Sequence, residues 1–133
     1  MRAVRAGQKE ARLPGRRERG VASLEYLGMV PFLLLIALAG IQLGIVAYCA
    51  EQAGTAARTA ARTAAQAHPE LDPATAGQDA VSGWVNPAIS FSGGGADSVT
   101  VSARVRVPSV LPGFSLVDPI TRSATMPRED TTP

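Results

Sequence analysis

Cysteine and histidine each occur once in the 133 residues, as Cys49 and His68. A single cysteine excludes an intrachain disulfide framework. One Cys and one His also leave too few ligands for a protein metal site of the usual kind, so no metal and no cofactor is expected. Catalytic groupings are equally sparse. The serines lack a nucleophile-elbow setting, His68 stands beside Pro69, and no carboxylate cluster has acid–base spacing. Neither an enzyme activity nor a small-molecule substrate is expected. Full charges are missing from one long stretch: Leu27 to Ala50 contains no Asp, Glu, Lys or Arg, and Gln42 is its only strongly polar member.

The charges that are present are unevenly spread. The formal net charge is +2. Residues 1–20 hold seven basic side chains against Glu10 and Glu18, giving +5, whereas residues 21–133 hold six arginines against nine acids, giving −3. The basic pI thus reports a leader segment and no nucleic-acid partner. Lys and Arg are enriched on the cytoplasmic flank of membrane helices. The N-terminus is expected in the cytoplasm of a bacterial cell, with residues 51–133 extracytoplasmic and the chain crossing the membrane once.

The 24 residues from Leu27 to Ala50 exceed the roughly 20 apolar residues that a bilayer-spanning helix needs. They also exceed the apolar region of a cleaved secretory signal, about 7–15 residues. Pro31 removes one backbone donor and is expected to kink the helix near its cytoplasmic end. Gly40 and Gly44 form a G-x-x-x-G pair, a spacing that lets two membrane helices approach closely, with Gln42 nearby to hydrogen-bond across the contact. Small residues are common in membrane helices, so the same pair also fits a helix with no such partner.

Past the lipid, Glu51 to Ala67 repeats Thr-Ala-Ala and remains helix-forming. The long helix is expected over residues 21–68, with its transmembrane part at about 27–50, and to stop at Pro69. Its alanine face suits either neighbouring helices or the chain's own C-terminal strands. Asp72-Pro73 reads as the cap and first residue of a short helix reaching Trp84. Ala88 to Phe91 is a short strand, Gly93-Gly94-Gly95 a turn, and Ser98 to Val107 alternates strictly, with Val99, Val101, Ala103, Val105 and Val107 on one face. Ile120 to Met126 forms a third candidate strand. The expected fold is α+β: a long N-terminal transmembrane helix followed by a small extracytoplasmic segment, residues 69–127, with a short helix and two or three antiparallel strands. Residues 128–133 are expected to form a flexible tail.

One carboxylate stands at the mouth of the span. Glu25 follows Gly20 by five residues, after the basic leader 1–20 and directly before the apolar run. An ionisable group in that position is costly unless it is partnered, although an acid in the first turn of any helix gains about 0.3–1 kcal/mol from the helix dipole. The order of basic leader, glycine, glutamate and apolar helix resembles type IV pilin-like precursors. Arg19-Gly20, Glu25-Tyr26, Pro31 with its leucines, Gln42-Leu43-Gly44, Ala56-Ala57-Arg58 and the tail Pro119 to Met126 resemble the TadE-like pseudopilins of tight-adherence (Flp) pilus assembly. The resemblance implies cleavage by a prepilin peptidase between Gly20 and Val21. It also implies partnership with other pilins or pseudopilins, in a non-enzymatic role in pilus assembly or secretion. Cleavage creates an α-amino cation on Val21, one helical turn from Glu25, and in a bundle of parallel helices the carboxylate of one subunit suits the amine of the next. The alternative reading is an uncleaved single-pass membrane-anchored binding module with a small external domain.

Overall fold

The computed structural model describes residues 15–111, 113–115 and 117–129. Most of the expected leader (1–14) and the end of the expected tail (130–133) lie outside the described residues. Helix α1 runs over Gly15–Ala65 and continues through Pro31. One compact unit ends at Ala37 and a second begins at Leu38. In the first unit the described chain is helix alone. The second holds the rest of α1, a short helix α2 (Pro73–Asp79) and three strands, β1 (Ala88–Ser92), β2 (Ser98–Val105) and β3 (Ile120–Pro127).

Helix α1 stops three residues before the expected end at His68, for a backbone reason. In a continuing helix the Ala65 carbonyl would accept from residue 69, and Pro69 has no N–H to give. The Glu129 N–H fills the place, donating to the Ala65 carbonyl at 3.0 Å. Helix α2 starts as expected, with the Asp72 carboxylate accepting from the Thr75 N–H at 3.1 Å. It ends at Asp79, well short of the expected Trp84. There the Gln52 side-chain carbonyl accepts the Ser82 N–H at 3.3 Å, and the chain turns on through Val85 N–H to Ser82 carbonyl at 2.9 Å.

The sheet is antiparallel in the order β1-β2-β3. Its register pairs Ser90 with Ser102 and Ser102 with Ser123, and Thr100 with Thr125. Period-two alternation puts these hydroxyls on the outer face, where Thr100 and Thr125 Oγ1 lie 2.8 Å apart and Ser102 and Ser123 Oγ 2.7 Å apart. Val99, Val101, Ala103 and Val105 occupy the inner face and are buried. β2 ends at Val105, where β3 begins opposite it at Ile120, so the expected last residues, Arg106 and Val107, have no ladder partner.

The alanine face of α1 covers the chain's own sheet, which decides between the two partners that the sequence left open. Cys49 and Ala53 meet Val105, Ala56 and Ala57 meet Ala103, and Ala60, Ala61 and Ala65 meet Val99 and Val101. Reading up the helix therefore reads β2 backwards, so the two run antiparallel. Alanine contributes little apolar area itself, but it lets the valines approach the helix closely, and burying each valine is worth about 1.5–3 kcal/mol. Gly77 brings α2 onto the same face. A Cβ there would lie 2.9 Å from both the Ala56 carbonyl oxygen and the Ala60 Cβ.

The stripe continues two turns below Cys49 to Gln42, which is 7% exposed between Ile41 at 54% and Leu43 at 70%. Its Nε2 donates to the Pro108 carbonyl at 3.3 Å, and its Oε1 accepts from the Val110 N–H at 3.0 Å. One amide side chain thus serves the loop as a strand neighbour would, satisfying one donor and one acceptor.

Two substitutions test this packing. Gly77→Val is expected to lower stability by about 1–3 kcal/mol through overpacking, read as a lower thermal midpoint of the detergent-solubilised protein. Gln42→Leu leaves the Pro108 carbonyl and the Val110 N–H without their partner, at about 1–3 kcal/mol. Hydrogen exchange at the Val110 amide is expected to speed up, while exchange at Val101 rises only by the global loss. An unchanged Val110 rate would show that the loop does not depend on Gln42.

Candidate functional site: the processing segment and the exposed helix

Among the described residues nothing covers the lower part of α1. Leu24 is 72% exposed, Leu27 70% and Ile36 68%, and among the described residues α1 is the one helix long and apolar enough to cross a membrane. From Val21 every residue is exposed up to Ala37, Leu38 is half-buried, and the first buried residue is Gln42. That interval rises roughly 30 Å at 1.5 Å per residue, close to the thickness of a bilayer's hydrocarbon core. Such a surface needs lipid or other helices around it.

Gly20 lies inside α1, where an extended backbone would suit a protease better. Nothing lies within 4 Å of the position a Cβ would take. The Ser23 hydroxyl donates to the Arg19 carbonyl at 2.7 Å, a further tie across the turn that holds Gly20. Access to the Gly20–Val21 bond therefore requires that turn to unwind. Glycine lowers the cost by about 1 kcal/mol relative to alanine. Glu25 is exposed, four residues from Val21 and on the same side of the helix. In the intact chain the Val21 nitrogen is a neutral peptide amide; a cut after Gly20 would turn it into a cation one turn from Glu25.

The two glycines and Gln42 do not share a surface. At 100° per residue, Gly40 and Gly44 each fall roughly 160° around the helix from Gln42. Both glycines are exposed, with nothing within 4 Å of a notional Cβ, so they form an open strip. Gln42 points the other way, into its own loop. The expected hydrogen bond from Gln42 across a glycine-lined helix contact is corrected accordingly: its amide is taken up 66 and 68 residues away in the same chain. The sign in the sequence was the spacing 42-45-49-53-56, which places Gln42 on the buried alanine stripe.

Residues 20–62 match the family model described as TadE-like protein. No curated protein and no solved structure matches the chain. The matched segment starts at the glycine of the expected cut, takes in Glu25 and the whole exposed span, and ends in the alanine stripe; β1, β2 and β3 lie beyond it. With a TadE-like region over residues 20–62 and one long apolar helix, this chain is TadE-like in the segment that its own sequence motifs single out, which points to a Tad pilus-related membrane protein.

Proposed function

We propose that the chain is a non-enzymatic pseudopilin: a single-pass subunit inserted with its basic N-terminus in the cytoplasm and cut by a prepilin peptidase between Gly20 and Val21. It then packs through the apolar part of α1 against other pilins or pseudopilins of an Flp-type pilus or secretion apparatus. The observation that carries this reading is the coincidence at one place of the start of the TadE-like match, the uncovered glycine and Glu25 at the foot of an exposed apolar helix. The +5 leader supports the orientation.

In that assembly the chemistry at the cut sets the register. The free Val21 amine and the Glu25 carboxylate carry opposite charges into a region with little water. Leaving one of them unpaired there costs about 3–5 kcal/mol. Parallel helices staggered so that each carboxylate meets a neighbour's amine avoid that cost, and helices slipped by a turn do not. The open strip at Gly40 and Gly44 lets backbones approach in the same bundle. The extracytoplasmic unit, built on the far half of α1, stays outside the membrane.

Edman or mass-spectrometric sequencing of the membrane-extracted protein from cells with the pilus apparatus is expected to begin at Val21. A start at Met1 would favour the uncleaved binding module. Gly20→Leu is expected to leave only precursor, heavier by residues 1–20. Glu25→Ala is expected to insert and mature normally but to lose more than 100-fold in co-assembly with pilin partners, as the unpaired-amine cost implies. Co-purification of this variant at wild-type yield would refute the pairing role.

A further inference from the structure

Because β2 runs antiparallel to α1, the end of the sheet holding Val105 and the loop after it lies where the chain enters this unit from the apolar stretch. Exposed side chains of a distinct kind collect at that end. Trp84 is 58% exposed and stacked on Tyr48, with ring centroids 5.6 Å apart and planes 10° from parallel. The Tyr48 hydroxyl lies 2.6 Å from Ser82 Oγ, which fixes the ring on the segment that leads to Trp84. Trp84 also walls an open groove with Arg104, Arg106, Pro108 and Asp118. Both arginines are exposed, and two cations against one acid leave the groove net positive. Phe114, 68% exposed, projects from the loop that Gln42 pins at Val110.

The position along the helix gives these groups a meaning. Tyr48 is six residues past Gln42, about 9 Å along the axis, and the headgroup layer of a bilayer leaflet is about 5–8 Å deep. Aromatic rings with one polar edge gather at that level. Guanidinium groups match phosphate oxygens in pairs, and an arginine stem covers the remaining few ångströms by lying along apolar surface. Arg58, Arg62, Arg122, Arg128 and Phe91 are exposed elsewhere on the unit, but this end alone sets two arginines beside a stacked Trp–Tyr pair in one groove.

We propose that this end of the extracytoplasmic unit is a seat for the headgroup phosphates of an anionic bilayer leaflet, with Trp84 and Tyr48 as the ring anchor and Arg104 and Arg106 as the cations. The seat is continuous with the span and holds the unit against the membrane before the subunit joins an assembly. Asp118 weakens it. The proposal rests on α1 spanning a bilayer.

Trp84 is the chain's one tryptophan, so its fluorescence reports the seat without labelling. The full chain is reconstituted in vesicles of phosphatidylcholine alone or mixed with phosphatidylglycerol. Quenching is measured by headgroup-level spin-labelled lipid and by aqueous acrylamide. In the anionic vesicles Trp84 is expected to be quenched by the lipid label and shielded from acrylamide. Arg104→Gln with Arg106→Gln lowers the ratio of docked to free units roughly thirty-fold, from about a five-fold contribution per cation. The corresponding double Lys variant keeps docking, and Asp118→Asn strengthens it. Trp84 equally open to acrylamide in both vesicle types, or quenching indifferent to the double Gln change, would overturn the seat. A Leu34→Trp probe in a Trp84→Phe background separates the two levels of failure. Quenching of that probe by acyl-chain labels with Trp84 unquenched rejects the seat alone, and no acyl-chain quenching rejects the span.

Discussion

The amide of Gln42 meets the backbone of Pro108 and Val110 at the point where α1 changes surroundings. Below it the helix shows apolar side chains in every direction; above it one stripe is covered by a sheet and, past Tyr48, the rest is small or polar. A single continuous helix therefore has to satisfy two solvents, and it can do so only if the changeover falls at a definite residue. A loop laid against a membrane-facing helix would normally bring unpaired peptide groups into oil, each costing several kcal/mol. The glutamine side chain removes that cost for one donor and one acceptor, so the sheet-bearing unit can begin directly where the apolar stretch ends.

That junction explains the composition on either side. Alanine dominates α1 from Ala53 to Ala65 because the helix must lie close to a strand whose own inward residues are valines. Leucine, isoleucine and phenylalanine dominate below, where nothing among the described residues covers them. The three strands gain a cover from a helix that also serves as anchor, an economical solution for a unit too short to build a core from strands alone. Three surroundings follow one another along the same helix: the exposed segment from Gly20 to Glu25 at its foot, an uncovered apolar stretch along its middle, and a sheet at its head.

Much of this was legible in the residues. Strict alternation from Val99 to Val105 marked β2 and its buried face, because period two has one structural meaning. Asp72-Pro73 marked the start of α2 for an equally local reason. The end of α2 was not legible, because it depends on Gln52 capturing the Ser82 N–H from another element. The alanine stripe declared a face but not its partner, since a methyl group fits a helix and a sheet alike. Gln42 was the least readable. Its sequence neighbours are glycines that suit a helix–helix contact, and the groups it serves lie far along the chain. The candidate cut site was the reverse case: Gly20, Val21 and Glu25 stand out by spacing alone, and the TadE-like match begins at that glycine.

Spin labels placed singly along α1 in lipid vesicles, in a Cys49→Ser background, test the division of the helix most directly. Accessibility to oxygen against a water-soluble nickel chelate is read at each position outside the alanine stripe. The account predicts oxygen-dominated, lipid-like exposure from Leu27 through Ile41 and a crossover to chelate exposure before Glu51, with Gln42 itself shielded from both. Lipid-like exposure persisting around the helix well past Glu51, or chelate reaching positions near Leu34, would contradict it.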